Sequence, residues 1–81
     1  MLVNQFHVKN QFVISDNDGN EYLQSYRSII VRIDSEGKIT LGRNWDYSKT
    51  TGRYRNLYLG ETKKETEAKL LSGEYLLDLT L

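Results

Sequence analysis

The hydrophobic pattern of this chain changes its period at Gly42. Before that residue large apolar side chains alternate with polar ones, and after it they recur at intervals of three and four. An alternating pattern predicts strands with one buried face, whereas the wider spacing predicts amphipathic helices. The order of the two patterns therefore predicts an α+β fold in which the strands come first and the helices follow.

The first half of the chain divides into short segments separated by turn signals. We predict strands at about 2–8, 11–15, 21–26, 28–34 and 38–42. Asp18-Gly19 is well suited to a tight two-residue hairpin turn, because glycine accepts a positive φ angle. Since each link is only a few residues long, an antiparallel β-meander of four to five strands is the simplest topology.

Two short helices are predicted to follow and to pack on one face of the sheet. Apolar residues recur from Tyr47 at i, i+7 and i+11, which is the spacing of one helix face. A domain this small can rarely leave its largest side chain in solvent, so we also expect the single tryptophan inside. The predicted core of this half comprises Trp45, Tyr47, Tyr54, Leu57 and Tyr58.

Capping residues mark the ends of both predicted helices. Ser48 or Thr50 can cap the first helix, because a hydroxyl oxygen accepts a hydrogen bond from a free backbone N–H. Thr62 and Glu65 have the spacing of a capping box at the start of the second. Gly52 weakens the first helix, so either the helix begins near this glycine or another group approaches its backbone closely.

Composition excludes several classes of site. The 81 residues include no cysteine, which excludes disulfides, iron–sulfur clusters and thiol nucleophiles. The length fits a single small domain, residues 1–81, and no apolar run is long enough to span a bilayer. The N-terminal segment lacks the basic and apolar regions of a signal peptide, so we expect a cytoplasmic protein.

No group of residues has the spacing of a catalytic or metal site. His7 is the single histidine, and we expect it on the solvent side of the first strand. The segment from Asp16 to Gly19 resembles the start of a calcium loop, but Arg27 stands where that loop needs a glutamate. Asp46 is expected to stabilise the start of the first helix. We therefore expect no enzyme activity, no cofactor and no metal.

Charge is unevenly distributed, although the formal net charge is zero. Residues 1–42, 43–64 and 65–81 carry formal charges of −1, +4 and −3. The basic middle segment can meet an anionic partner, or the acidic tail can neutralise it. Its candidate binding residues are Arg43, Lys49, Arg53, Arg55, Lys63 and Lys64. We expect Lys49, Arg53 and Arg55 to face outward and to touch the partner.

A family resemblance rests on two segments, FVISDNDGNEYLQSYRSIIVRID and NWDYSKTTGRYRNLYLGETKKETEAKLLSGEY. They are similar to small uncharacterised proteins of phages, prophages and plasmids in Gram-positive bacteria. Those proteins share a W-D-Y-S-x-T-T core, which falls here on Trp45, Asp46, Tyr47, Ser48, Thr50 and Thr51, and the match covers about residues 12–75. The resemblance implies an accessory protein of a mobile element in a bacterial cytoplasm, and it implies no activity.

Two functions stay open at this point. The first is a non-enzymatic protein that engages a host or phage protein, for example as an inhibitor of a defence system. The second is a nucleic-acid-binding accessory protein that uses the basic helix around residues 49–64, although a net charge of zero is unusual for that class. A homodimer also stays open, because an uncovered edge of the meander could pair with a second copy. No membrane partner is expected.

Overall fold

The chain folds into a six-stranded sheet and two helices in a computed structural model that describes residues 1–81. The strands are β1 (Leu2–Gln5), β2 (Gln11–Ser15), β3 (Glu21–Ser25), β4 (Ser28–Ile33), β5 (Ile39–Gly42) and β6 (Leu76–Asp78). The helices are α1 (Lys49–Leu59) and α2 (Lys63–Ser72), and both lie between β5 and β6 in the chain. The predicted α+β class is confirmed.

Strand order in the sheet follows the sequence from β1 to β6. The first five strands form an antiparallel meander, as their short links predict. β6 instead runs parallel to β5, and its Leu77 pairs with Leu41. The two helices supply the long crossover that a parallel neighbour requires. The sheet therefore has six strands where the sequence predicted four to five.

The first strand is shorter than predicted. β1 ends at Gln5, and His7 and Asn10 adopt positive φ angles of 65° and 71°. These left-handed conformations turn the chain between β1 and β2. His7 is exposed as expected, but it lies in this turn and not on a strand.

The loop between β2 and β3 is longer than the predicted two-residue turn. It spans residues 16–20, because Asp16 organises it through its carboxylate. This carboxylate accepts hydrogen bonds from the backbone N–H groups of Asp18 and Asn20, at 2.9 and 3.0 Å. Hydrogen bonds from the side chain and backbone of Asn20 lower the pKa of Asp16 to about 2. Gly19 accepts the positive φ angle of 86° that the loop requires.

A bulge in β4 brings two consecutive residues into the core. The register pairs Leu23 with Val31 and Gln24 with Ile29, so Ile30 has no partner on β3. Ile30 and Val31 are both fully buried. The central core cluster consists of Leu23, Ile30, Val31, Leu41 and Tyr75. The core therefore lies between the sheet and the helices.

The helix ends form largely as predicted. Ser48 caps α1 by accepting the Thr51 N–H at 3.2 Å, whereas Thr50 lies inside the helix. The Thr62 hydroxyl accepts the Glu65 N–H at 3.2 Å, and Glu65 accepts the Thr62 N–H at 3.1 Å. The capping box is therefore confirmed, and of the two candidate caps for α1 only Ser48 has this role.

Candidate functional site

The inner face of α1 is rotated relative to the prediction. Thr51 shares a hydrogen bond of 3.0 Å with Ser25 on β3, and Tyr54 is buried beside it. Because the buried arc is centred on Thr51 and Arg55, Leu57 turns outward and is exposed. Tyr47 precedes the helix and is 73% exposed. The predictions of core positions for Leu57 and Tyr47 were therefore wrong.

The other predicted core aromatics lie on the inner side. Trp45 is partly buried against the core cluster, and so is Tyr58. The Tyr58 hydroxyl donates a hydrogen bond to Glu21 on β3. Burial and this hydrogen bond both raise the pKa of Tyr58. Trp45, Tyr54 and Tyr58 thus contribute to the contact between α1 and the sheet.

Arg55 is buried, so the prediction that it faces outward was wrong. Only 1% of its surface is exposed. Its guanidinium donates hydrogen bonds to the backbone oxygen of Trp45 at 2.8 Å and to the Asn56 side chain at 2.9 Å. It also lies 5.0 Å from the Trp45 ring, within cation–π distance. Arg55 is therefore committed to internal contacts and is not accessible to a partner.

Asp46 joins the loop before α1 to both helices. Its carboxylate accepts hydrogen bonds from Arg55 at 3.1 Å and from Lys63, at the start of α2, at 2.6 Å. Burial alone would raise the pKa of Asp46, but the hydrogen bonds and charges of Lys63 and Arg55 together hold it below its usual value. Asp46 was expected to act on the free N–H groups of α1, and it binds two cationic side chains instead.

Gly52 lies directly against this ion pair. A Cβ atom at Gly52 would stand 3.6 Å from Nη2 of Arg55 and 3.7 Å from Oδ1 of Asp46. α1 begins at Lys49, three residues earlier, so the helix does not start at the glycine. A Cβ at Gly52 would make only ordinary contacts with the ion pair, so neither of the two explanations for the glycine is observed.

Glu61 forms a second carboxylate site, here with a buried side chain, that sequence reasoning missed. It accepts hydrogen bonds from the Tyr75 hydroxyl, from Thr66 at 2.7 Å and from Lys69 at 3.0 Å. Burial alone would raise the pKa of Glu61, but these three donors outweigh it and lower the pKa. Burial and the hydrogen bond to Glu61 raise the pKa of Tyr75 to about 12. No periodic signal marks the site, because its donors come from α2 and the segment after it.

An open groove of about 910 Å³ runs between α1 and the start of α2. Three exposed residues of α1 line it at successive helical turns, namely Lys49, Arg53 and Leu57. We call these three residues the outer row. Lys63 and Thr62 line the groove from the side of α2. The groove thus presents cations and one apolar side chain together.

No acidic side chain of the tail forms an ion pair with the basic segment. The three ion pairs of the structure join Arg55 and Lys63 to Asp46, and Lys69 to Glu61. Four of the six candidate binding residues therefore form no ion pair: Arg43, Lys49, Arg53 and Lys64. All four are exposed. The structure brings Lys49, Arg53, Lys63 and the buried Arg55 to the groove and leaves Arg43 and Lys64 outside its lining.

A smaller pocket of about 320 Å³ lies at the turn between β3 and β4. The exposed rings of Tyr26 and Tyr47 line it, together with the hydroxyl-bearing side chains of Ser25 and Thr51. Tyr26 adopts a positive φ angle of 56°, which is uncommon for a bulky residue. Sequence reasoning missed this pocket because Tyr47 was expected in the core.

No group of three or more histidine, cysteine, aspartate and glutamate side chains is arranged so that it could hold a metal ion. Neither α1 nor α2 has the length and apolar character needed to cross a bilayer.

Most of the chain matches one protein family. The model of a family of unknown function, DUF8033, matches residues 3–74. The chain belongs to this family. The DUF8033 match includes the groove and the outer row and ends before β6. Comparison with curated proteins and with solved structures found no match.

Proposed function

We propose that this DUF8033 chain is a non-enzymatic accessory protein of a phage or other mobile element, and that it binds a host or phage protein at the groove. The observation that carries the proposal is the outer row, in which Lys49 and Arg53 are exposed and form no ion pair. Two cations at successive turns of one helix face suit an acidic segment of a partner protein. Inhibition of a defence system is one role that such binding would serve.

The apolar end of the outer row favours a protein partner. Leu57 is exposed one turn after Arg53 and lines the same groove. A protein segment can offer carboxylates to Lys49 and Arg53 and an apolar side chain to Leu57 at once. A phosphate backbone would match only the two cations.

The state of the two groove carboxylates supports a non-enzymatic role. Asp46 is held by Arg55 and Lys63, and Glu61 is held by Tyr75, Thr66 and Lys69. A general acid or base needs a carboxyl group that can exchange its proton with substrate near neutral pH. Both carboxyl groups instead have lowered pKa values and internal donors.

The mobile-element setting is supported by the family resemblance. The W-D-Y-S-x-T-T residues lie at the start of α1, where Ser48 caps the helix and Asp46 joins the two helices. The same local sequence in other small proteins of phages and plasmids would build the same helix start. The resemblance therefore supports a shared mobile-element setting, and it implies no activity.

Nucleic-acid binding is the second candidate. It is favoured by four exposed basic residues that form no ion pair, namely Arg43, Lys49, Arg53 and Lys64. Tyr47, exposed just before α1, adds an aromatic ring on which a base could stack. Such binding would weaken steeply with added salt, because each phosphate contact releases counterions.

Affinity capture from host lysate, with and without nuclease treatment, tests both candidates. The variant Lys49→Glu/Arg53→Glu reverses both charges of the outer row. Lys9→Glu/Lys38→Glu is the matched control, because both of these lysines are exposed and lie outside the groove. We expect the unmodified chain and the control to retain the same protein after nuclease treatment, and the outer-row variant to lose it.

Cross-linking can then locate the contact. The chain has no cysteine, so a single introduced cysteine gives one unique attachment point for a photo-cross-linker. Leu57→Cys should cross-link to the captured protein, and Lys9→Cys should not. Capture that nuclease abolishes, together with a shift of labelled DNA or RNA at about 50 mM salt, would instead establish the second candidate.

A further inference from the structure

The face of the sheet that points away from the helices carries apolar side chains of its own. Residues paired across neighbouring strands point to the same side, so the register assigns each side chain to one face. One row across all six strands consists of Val3, Ile14, Tyr22, Arg32, Thr40 and Leu76. A second row across the first four strands consists of Gln5, Phe12, Gln24 and Ile29. We call these two rows the open face.

Neither helix covers the open face. α1 reaches the sheet through the Thr51–Ser25 and Tyr58–Glu21 hydrogen bonds. Ser25 and Glu21 alternate with Tyr22 along β3, so they belong to the opposite face. The core cluster and the partly buried residues packed against it include no side chain of the open face. No helix therefore forms a second layer over this side of the sheet, although Thr40 is only 4% exposed and Leu81 lies 3.8 Å from where a Cβ at Gly42 would stand on the same side.

We propose that a second copy of this chain covers the open face, so that two sheets pack face to face in a dimer. Sheets pack in this way at a separation of about 10 Å when their inner faces carry interlocking apolar side chains. Phe12, Ile14 and Ile29 supply such side chains on adjacent strands. The dimer does not depend on the proposed function, because the groove lies on the helix side of the sheet.

The charges of the open face suit a second copy better than a charged partner. Arg32 lies on the face, and Asp78 points to the same side because it follows Leu76 by two residues on β6. Arg32 and Asp78 are the charged side chains that the paired strands place on the open face. The hydroxyl and backbone N–H of Thr80 lower the pKa of Asp78, and the charge of Arg32 adds to this effect. A two-fold axis can place Arg32 of one copy against Asp78 of the other.

The size of the face is also that of a reversible dimer interface. Six strands that are spaced about 4.8 Å apart and are about 17 Å long form a sheet with a flat area on the order of 400 Å². The side chains make this surface uneven and therefore larger. The area that each copy would bury is then close to the lower end of the range for specific protein interfaces. We therefore expect a dimer that dissociates in the micromolar range.

Neighbouring residues on the two outermost strands provide a matched test. Val3 and Leu76 lie on the open face and are 55% and 44% exposed. Leu2 and Leu77 adjoin them in the same strands, point to the helix side and are 68% and 51% exposed. Val3→Lys/Leu76→Lys and Leu2→Lys/Leu77→Lys therefore add equal charge to the same edges but to opposite faces.

Sedimentation velocity from about 5 to about 500 µM separates the outcomes, because this range brackets a weak dissociation constant. We expect the unmodified chain and Leu2→Lys/Leu77→Lys to reach twice the monomer mass, and Val3→Lys/Leu76→Lys to bind its own copy at least about tenfold more weakly. If the unmodified chain stays monomeric throughout, the proposal is wrong. It is equally wrong if both variants weaken the dimer alike, since that result indicates pairing at the strand edges. Circular dichroism checks the folding of each variant, and Val3→Lys alone replaces the double variant if that one does not fold.

Discussion

The carboxylate of Asp46 and the buried guanidinium of Arg55 form an ion pair with 3.1 Å between Oδ1 and Nη1. Asp46 precedes α1 and Arg55 lies on its inner arc, so the pair fastens the entering loop to the helix. Lys63 contacts the other carboxylate oxygen from α2. One aspartate therefore sets the relative position of the two helices that form the groove.

Asp46→Ala should destabilise the fold, because it leaves the buried Arg55 without its carboxylate. A lost charge-assisted hydrogen bond to a buried group costs about 2 kcal/mol. Asp18→Ala is the control, since Asp18 is exposed and its carboxylate accepts no hydrogen bond. Urea unfolding of both variants measures the difference. Equal free energies of unfolding would contradict the role given to the ion pair.

Acid should destabilise the protein partly through Glu61. Its pKa in the folded state is lowered from the ordinary value of 4.5, so its contribution is present above that pH. The contribution is lost as the pH falls through the lower folded-state pKa. Glu61→Gln should therefore flatten the fall in unfolding free energy between about pH 6 and about pH 3. In the control Glu36→Gln, which changes an exposed side chain, the slope should match that of the unmodified chain.

Ser48→Ala and Thr50→Ala distinguish the two hydroxyl residues at the start of α1. Ser48 accepts the Thr51 N–H, so its removal should cost about 1 kcal/mol. Thr50 lies inside the helix and is exposed, where alanine is the better helix former. We therefore expect Thr50→Ala to unfold at the same or a slightly higher urea concentration. The reverse order would show that the cap is misassigned.

Gly42→Ala and Gly52→Ala should change stability in opposite directions. A Cβ at Gly42 would lie 2.2 Å from the backbone oxygen of Ile29, so β4 and β5 would have to separate, at a cost of about 3 kcal/mol or more. At Gly52 the nearest atom stands at 3.6 Å, an ordinary contact distance. Alanine there should stabilise α1 by up to about 1 kcal/mol. Thermal unfolding of the two variants gives the comparison directly.

Features that depend on near neighbours in the chain were predictable. The capping box of Thr62 and Glu65 needs only two residues three positions apart, and it forms as the spacing indicates. The meander likewise follows from period-two segments joined by short links. β6 was harder to predict, because its parallel pairing depends on where two helices return the chain.

The binding face of α1 was predictable only in part. Lys49 and Arg53 are exposed as the helical spacing indicates, since each lies opposite Thr51 on the helix. Arg55 has the same charge, but it is buried, where Asp46 and the Trp45 backbone both accept hydrogen bonds from its Nη1. No periodic rule identifies those partners, since they precede the helix and approach it only in the folded chain.

Most strands and helix caps could be predicted from sequence, because local conformational preference and hydrophobic period act over a few residues. Which charges remain free depends on contacts made only in the folded chain. Burial makes an unpaired charge costly, so the buried guanidinium of Arg55 pairs with Asp46 and the buried carboxylate of Glu61 pairs with Lys69. Lys49 and Arg53 stay available to a partner because no carboxylate of the folded chain reaches them.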